Sequence, residues 1–159
     1  MRNLILELGY EPFSEEDRLG ADEIFEEYKP SGVDCVNEVS GETERTEKIT
    51  QFRKIHGFAG DGEKVSITPE TAKAWLSERF REFQELAKTL ANTGFEGFCT
   101  PKVEWNLEDL TTACKDESGD FILLRDSGVM SLESFLRYRV LGENGNSEWY
   151  VGTLASYHG

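Results

Sequence analysis

The segment at residues 68–94 constrains the fold most, because its apolar residues repeat at the spacing of an amphipathic helix. Thr68 can cap the start of such a helix, and Asn92 or Gly94 can adopt the left-handed conformation that ends one. The pattern predicts one helix over residues 69–91, roughly 33 Å long at about 1.5 Å per residue. The residues of its apolar face are Ala72, Trp75, Leu76, Phe80, Phe83, Leu86, Ala87 and Leu90.

One charged residue, Arg79, interrupts this apolar face between Trp75 and Phe83. An arginine in this position can lay its stem along the aromatic rings and form an ion pair with an acidic neighbour. Alternatively, it can belong to a site that binds an anion or a partner. The sequence leaves both interpretations of Arg79 open.

Short apolar runs and alternating patterns predict strands on both sides of the long helix. Residues 121–124 form the most apolar short run and are expected to be a central buried strand. Residues 135–141 and 148–156 flank a polar loop and are expected to pair as a hairpin. The predicted strands are residues 4–8, 33–39, 48–58, 64–67, 121–124, 135–141 and 148–156.

Residues 48–58 are ambiguous between the two kinds of secondary structure. Ile49, Phe52 and Ile55 keep a helical spacing of three, whereas the β-branched and aromatic content suits a strand. We favour a strand, because a glycine-rich turn follows and residues 64–67 can return as its hairpin partner.

Shorter helices and loops are expected to fill the rest of the chain. Gly20 can break the first of these helices, and Asn106 can cap the second. Residues 40–47 are polar and are expected to form a mobile loop, residues 95–105 an irregular or extended segment, and residues 116–119 a turn. The predicted shorter helices are residues 14–28, 106–113 and 131–134.

These elements together predict a single α+β domain over residues 1–159. We expect a mostly antiparallel sheet of four to six strands, with the helix at residues 69–91 packed on one face. Two or three shorter helices are expected around this sheet.

Charge is the most informative bulk property, with 31 acidic and 17 basic residues giving a net charge of −14. Residues 1–47 hold 14 acids and 4 bases, a net charge of −10. Residues 48–92 have a net charge of +2, and residues 93–159 a net charge of −6. Direct binding to nucleic acid is not expected, because phosphate contacts require concentrated Lys and Arg. A basic protein surface is a better partner.

Much of this negative charge falls in residues 14–28, which a helical wheel divides into two sides. Ile24 and Tyr28 lie on the apolar side, and Leu19 falls within the acidic side if the helix is unbroken at Gly20. The acidic side either keeps the protein soluble or binds a basic partner. Its six carboxylates are Glu15, Glu16, Asp22, Glu23, Glu26 and Glu27.

Residues that commonly carry catalysis or bind metals are few. Cys35, Cys99 and Cys114 are odd in number and lack CxxC spacing, so they indicate no disulfide framework and no metal site. We expect them to be buried apolar residues in a reducing compartment. The two histidines, His56 and His158, belong to no recognisable catalytic motif, and no cofactor is expected.

No run of 18 apolar residues is present, and Glu7 comes too early for the apolar core of a signal peptide. The sequence therefore predicts a cytoplasmic protein without a membrane partner.

The leading hypothesis is a non-enzymatic acidic protein that occupies the basic surface of a nucleic-acid-handling protein. Small inhibitors of restriction or CRISPR systems, carried by phages and mobile elements, use this strategy, and the analogy here is one of charge and size. One alternative is a small enzyme or ligand-binding protein with a site around Arg79, His56 and a cysteine. Another is an acidic adaptor or subunit that binds through the aromatic surface of Phe95, Phe98 and Trp105.

Overall fold

A six-stranded sheet forms the centre of the structure, a computed structural model that describes residues 3–28, 30, 32–114, 119–142 and 147–158. The strands are β1 (Asn3–Gly9), β2 (Cys35–Glu38), β3 (Lys64–Ser66), β4 (Phe121–Leu124), β5 (Gly128–Ser131) and β6 (Glu148–His158). Their order is β2-β6-β1-β4-β5, and β3 pairs with the beginning of β6. β1 and β4 are parallel, and the other pairs are antiparallel.

Helices account for most of the remaining secondary structure. They are α1 (Ala21–Glu27), α2 (Glu42–His56), α3 (Pro69–Ala91), α4 (Phe95–Phe98), α5 (Lys102–Ala113) and α6 (Leu132–Phe135). A 3₁₀-helix covers Glu15–Asp17, and a π-helix, Leu136–Leu141, follows α6 directly. The α+β class is confirmed, with one mostly antiparallel sheet and one long helix packed against it.

Successive side chains along a strand point to opposite faces of the sheet, and in this sheet both faces carry apolar residues. Leu4, Leu6 and Leu8 of β1 belong to the larger core, which includes residues of α2, α3 and α6. Ile5 belongs to a smaller core that is closed by Ile24 of α1. α1 and the long helix α3 therefore contribute to cores on opposite faces of the sheet.

The long helix α3 begins as the sequence predicts. Thr68 Oγ1 accepts a hydrogen bond from the Thr71 amide at 3.2 Å, and proline occupies the first helical position. The predicted left-handed ending is wrong, because Asn92 has φ −89° and Gly94 has φ −77°. Gly94 instead caps the start of α4, so the chain turns there into a second helical segment.

Residues 40–47 and 48–58 were expected to form a loop and a strand, and both predictions are wrong because α2 covers most of this region. Arg45, Ile49 and Phe52 are the buried residues of this helix. They recur at steps of four and three, so the helical spacing outweighs the β-branched and aromatic content. Because residues 48–58 are mostly helical, they do not pair with β3 as expected, and β3 pairs with β6.

Predictions for two further regions are wrong. Residues 135–141 are helical and not a strand, because Phe135, Leu136 and Val140 are buried at helical spacing. Residues 95–105 contain α4 and the start of α5, so Asn106 lies within α5 and does not cap it. The turn expected at residues 116–119 lies mostly outside the described residues.

A β-bulge between β1 and β6 holds a buried carboxylate. The register of the two strands shifts beside Glu7, which leaves one extra β6 residue opposite it. The Glu7 side chain is 0% exposed, accepts a hydrogen bond from the Thr153 amide at 2.9 Å, and forms an ion pair with Arg125. The hydrogen bond to Glu7 is the main reason that the pKa of Arg125 lies above its usual value.

The turn between α2 and β3 depends on glycine. Gly60 has φ +124°, and a Cβ there would lie 2.2 Å from the Lys64 carbonyl oxygen. Gly62 has φ +53°, but a Cβ there would meet nothing within 4 Å. We expect Gly60→Ala to lower the free energy of unfolding by about 3 kcal/mol, and Gly62→Ala by about 1 kcal/mol. Urea denaturation of both variants checks this, and equal losses would contradict the role given to Gly60.

Candidate interaction site

The acidic segment at residues 14–28 folds as two short helices, not one. Gly20 is extended, with φ −74° and ψ 161°, and separates the 3₁₀-helix from α1. The Leu19 amide donates a hydrogen bond to Thr153 Oγ1 at 2.5 Å, which fixes this break against β6. Leu19 is consequently packed against the smaller core and is not an exposed residue within the acidic row.

All six carboxylates that the sequence singled out are exposed, although they do not form one helical ridge. Glu15 and Glu16 lie on the 3₁₀-helix, and the other four lie on α1. α1 packs against β2, and Glu15 and Glu38 line one cleft of about 250 Å³. Five further acids, on or near β2 and in the first half of α2, are also exposed: Asp34, Glu38, Glu42, Glu44 and Glu47. We call these five and the original six the acidic surface.

The arginines of this region are directed inward. Arg45 is buried, donates to Glu63 Oε1 at 2.5 Å and donates to the Val151 carbonyl at 2.7 Å. Arg18 donates to the same Glu63 oxygen at 3.1 Å and lies 3.6 Å from Glu42 Oε1. Within the described part of residues 3–47 these are the only Lys or Arg residues. The acids are therefore exposed, whereas Arg45 is buried against Glu63 and Arg18 lies between Glu63 and Glu42.

Capping hydrogen bonds hold two acids of this segment in place. Asp17 accepts from the Ser14 hydroxyl at 2.6 Å, and Glu23 accepts from the Gly20 amide at 2.7 Å. The Ser14 hydroxyl, followed by the Ser14 amide, lowers the pKa of Asp17 below its usual value. A carboxyl with a lowered pKa stays charged further into the acidic range, so Asp17 adds negative charge next to the acidic surface.

Arg79 lies in an ion pair on the opposite face of the sheet. Its Nη2 is 3.3 Å from Glu133 Oε2, and Arg137 Nη2 donates to the other Glu133 oxygen at 2.6 Å. Glu133 is buried, with 3% of its surface exposed. The stem of Arg79 lines a groove between α3, the end of α5 and the π-helix, and Cys114 lines the same groove.

His56 belongs to a different part of the structure. Its Nε2 is 2.8 Å from Asp120 Oδ2, and Trp75 Nε1 donates to its Nδ1 at 3.3 Å. Since the indole is only a donor, this geometry assigns the His56 proton to Nε2. The imidazole is 7% exposed and is not among the residues that line the Arg79 groove. The structure therefore brings Arg79 and a cysteine together without His56.

The expectation that the cysteines are buried is wrong, because Cys35, Cys99 and Cys114 are all exposed. Cys35 lies on β2, which is an edge strand, and the other two cap the ends of α4 and α5. Strand edges and helix ends are more open to solvent than the middle of a packed element. Apolar character alone did not decide their burial.

A second surface of interest is aromatic. Phe95 is 81% exposed, Phe98 67% and Trp105 63%. The two phenylalanines lie on the short helix α4, and Trp105 lies on the neighbouring helix α5. Large exposed aromatic side chains are common anchors of protein interfaces, so these three residues form a candidate aromatic surface.

Within the part of the chain that the structure describes, no group of three or more His, Cys, Asp or Glu residues is arranged to hold a metal ion. Across the same residues, no helix combines the length and apolar character needed to cross a bilayer. No protein-family model, curated protein sequence or solved structure matches this chain.

Proposed function

We propose that this chain is a non-enzymatic interaction protein whose acidic surface binds the basic surface of a nucleic-acid-handling protein in the cytoplasm. The observation that carries the proposal is the exposure of the acids on the 3₁₀-helix, α1, β2 and the start of α2, while Arg45 is buried and both Arg18 and Arg45 pair with Glu63. Exposed charge of one sign steers the association of a partner with the opposite charge.

The spacing of the carboxylates supports a partner that normally binds nucleic acid. Asp22 and Glu26, and likewise Glu23 and Glu27, are four residues apart on α1. Side chains at this spacing lie about 5–6 Å apart, which is of the same order as the charge spacing along a nucleic-acid strand, about 3.4 Å. Such a surface would exclude nucleic acid from its partner, as an inhibitor of a restriction or CRISPR system from a phage or mobile element would do.

Capture from a cell lysate at low and at high salt tests this proposal. The immobilised chain should retain a protein with a basic nucleic-acid-binding surface at low salt and release it at high salt, because exposed charge pairs are screened. Mass spectrometry identifies the retained protein. Retention of only salt-resistant partners without nucleic-acid-binding activity would contradict the proposal.

A second candidate function is an adaptor or subunit that binds through the aromatic surface. The observation that favours it is the exposure of Phe95, Phe98 and Trp105, which the packing of α4 and α5 leaves in solvent. Burial of three aromatic side chains would give a complex that resists salt, because the hydrophobic effect does not depend on charge pairs.

Replacing Phe95, Phe98 and Trp105 together by Ser should abolish a salt-resistant complex and change the free energy of unfolding by only about 0.5 kcal/mol. Tyr138→Ser is the matched control, because Tyr138 is 64% exposed and lies on the π-helix. Size-exclusion chromatography with the captured partner checks both variants. Loss of the complex with Tyr138→Ser, or its survival in the triple variant, would argue against the aromatic surface.

A further inference from the structure

The groove beside Arg79 is a third candidate binding site, and it does not depend on the acidic surface. It has a volume of about 460 Å³ and lies between the middle of α3, the end of α5 and the π-helix. This volume lies within the range of small-molecule sites, about 300–1,000 Å³. The groove is lined mainly by apolar side chains: Leu76, Phe80, Phe83, Ala113 and Leu141.

Two of these apolar side chains are unusually open to solvent for residues on the apolar face of α3. Phe80 is 59% exposed and Phe83 is 40% exposed. Neither belongs to the larger core, whereas Trp75 and Leu76, earlier on the same helix, pack against it. The exposed ring surface in the groove is the surface that a bound apolar molecule would remove from water.

The described charged residues that line the groove are positive, whereas the chain as a whole is negative. Lys73, Arg79 and Arg137 line it, and none of the described residues that line it is acidic, although the chain has a net charge of −14. Arg79 and Arg137 share the carboxylate of Glu133. The Lys73 ammonium makes no ion pair with the residues that the structure describes. Among the described residues, three cationic side chains therefore line this groove, and the Lys73 ammonium lies at its rim.

We propose that this groove binds an anionic amphiphile, a small molecule with a hydrocarbon chain and a terminal carboxylate. The hydrocarbon chain packs against Phe80 and Phe83, and the carboxylate pairs with Lys73 at the rim. This combination explains why cations surround an apolar groove in an acidic protein. A peptide helix would also bury apolar side chains, but the groove is of small-molecule size, which favours the amphiphile.

Dodecanoate below its micelle concentration is the first probe, and isothermal titration calorimetry with the purified chain is the measurement. We expect saturable binding of one molecule per chain. Dodecanol and dodecyltrimethylammonium have the same hydrocarbon length without the negative charge, and each should bind at least about five-fold more weakly. No saturable binding of dodecanoate, or equal affinity for the cationic amphiphile, would overturn the proposal.

Two substitutions on α3 locate the site. Lys73→Met should weaken dodecanoate binding about five-fold and leave dodecanol binding unchanged, because it removes only the charge pair. Lys88→Met makes the same charge change on α3 outside the groove and should have no effect. An equal effect of the two Lys→Met variants would place the carboxylate elsewhere.

Filling the groove provides a second, independent readout. Ser77 lines the groove and is exposed, so Ser77→Trp should occupy it and weaken dodecanoate binding at least ten-fold without disturbing the core. Gln84→Trp, at an exposed α3 position outside the groove, is its control. Unchanged binding in Ser77→Trp would overturn the site, and so would binding of an acidic amphipathic peptide in place of dodecanoate. These titrations use no protein partner, so their failure leaves the proposed function standing.

Discussion

Reversing Glu15, Glu16, Glu23 and Glu27 to Lys is expected to weaken binding of the captured basic partner about 100-fold, mainly through slower association. The four side chains lie on the 3₁₀-helix and α1 and are all exposed. Replacing four negative charges by four positive ones converts attraction into repulsion at the centre of the acidic surface. Surface plasmon resonance at low salt separates the association and dissociation rates.

The matched control reverses four acids away from the acidic surface: Glu82, Glu85, Glu104 and Glu108, all exposed on α3 and α5. Both variants have the same net charge, so a difference between them reports the position of the charge and not its total. The control should lose only a few-fold in affinity, through the weaker long-range attraction. Equal losses in the two variants would show that the partner senses net charge alone.

The largest expected loss of stability follows from replacing Arg125 by Met. This change leaves the Glu7 carboxylate, which is 0% exposed, without its counter-charge. Removing one partner of a buried ion pair costs about 3–5 kcal/mol. We expect about 3 kcal/mol for Arg125→Met, at the lower end of that range, because the Thr153 amide still donates to Glu7. Thermal and urea unfolding measure the change.

Arg81→Met provides the control for the loss of an ion pair. Arg81 lies 3.6 Å from Glu78, and the two side chains are 70% and 85% exposed. A surface pair of this kind contributes only about 0–1 kcal/mol. If Arg125→Met proved as mild as Arg81→Met, Glu7 would have to be solvated or paired in another way, and the buried carboxylate in the β-bulge would be misassigned.

The helices and strands whose apolar residues recur at a regular spacing or in compact runs were predicted correctly from the sequence. The start of α3 follows from its apolar spacing and the Thr-Pro cap, and β1, β4 and β6 follow from compact apolar runs or alternation. These signals are local, so the rest of the fold does not need to be known. The α+β class follows from them.

The elements that were predicted wrongly are those in which residue composition favours one structure and packing against the rest of the fold favours another. In α2, Ile49 and Phe52 suit a strand by composition, but their spacing lets them face the larger core from one helix. The buried residue Arg45 lies in a segment whose polar composition indicates a loop. Its burial depends on Glu63 and Val151, which are distant in sequence, so no local pattern could reveal it.

The sequence indicates part of the proposed acidic surface. The acids at residues 15–27 were identified because they are adjacent in sequence, and they are exposed. Asp34 and Glu38 were missed, since the place of β2 beside α1 depends on the pairing of β2 with β6, and the acids of α2 were missed because their segment was predicted as a loop. The inward direction of Arg18 likewise depends on tertiary contacts with Glu63. A local charge pattern shows that acids are abundant. Which arginine side chains pair with which acids depends on tertiary contacts.

The most direct test of the central claim is a competition between this chain and a short DNA duplex for the captured partner. If the acidic surface occupies the site of a nucleic acid, the duplex and the chain should displace each other, and the complex with both should not form. Fluorescence anisotropy of the labelled duplex reports this displacement. A stable ternary complex of partner, duplex and chain would contradict the claim.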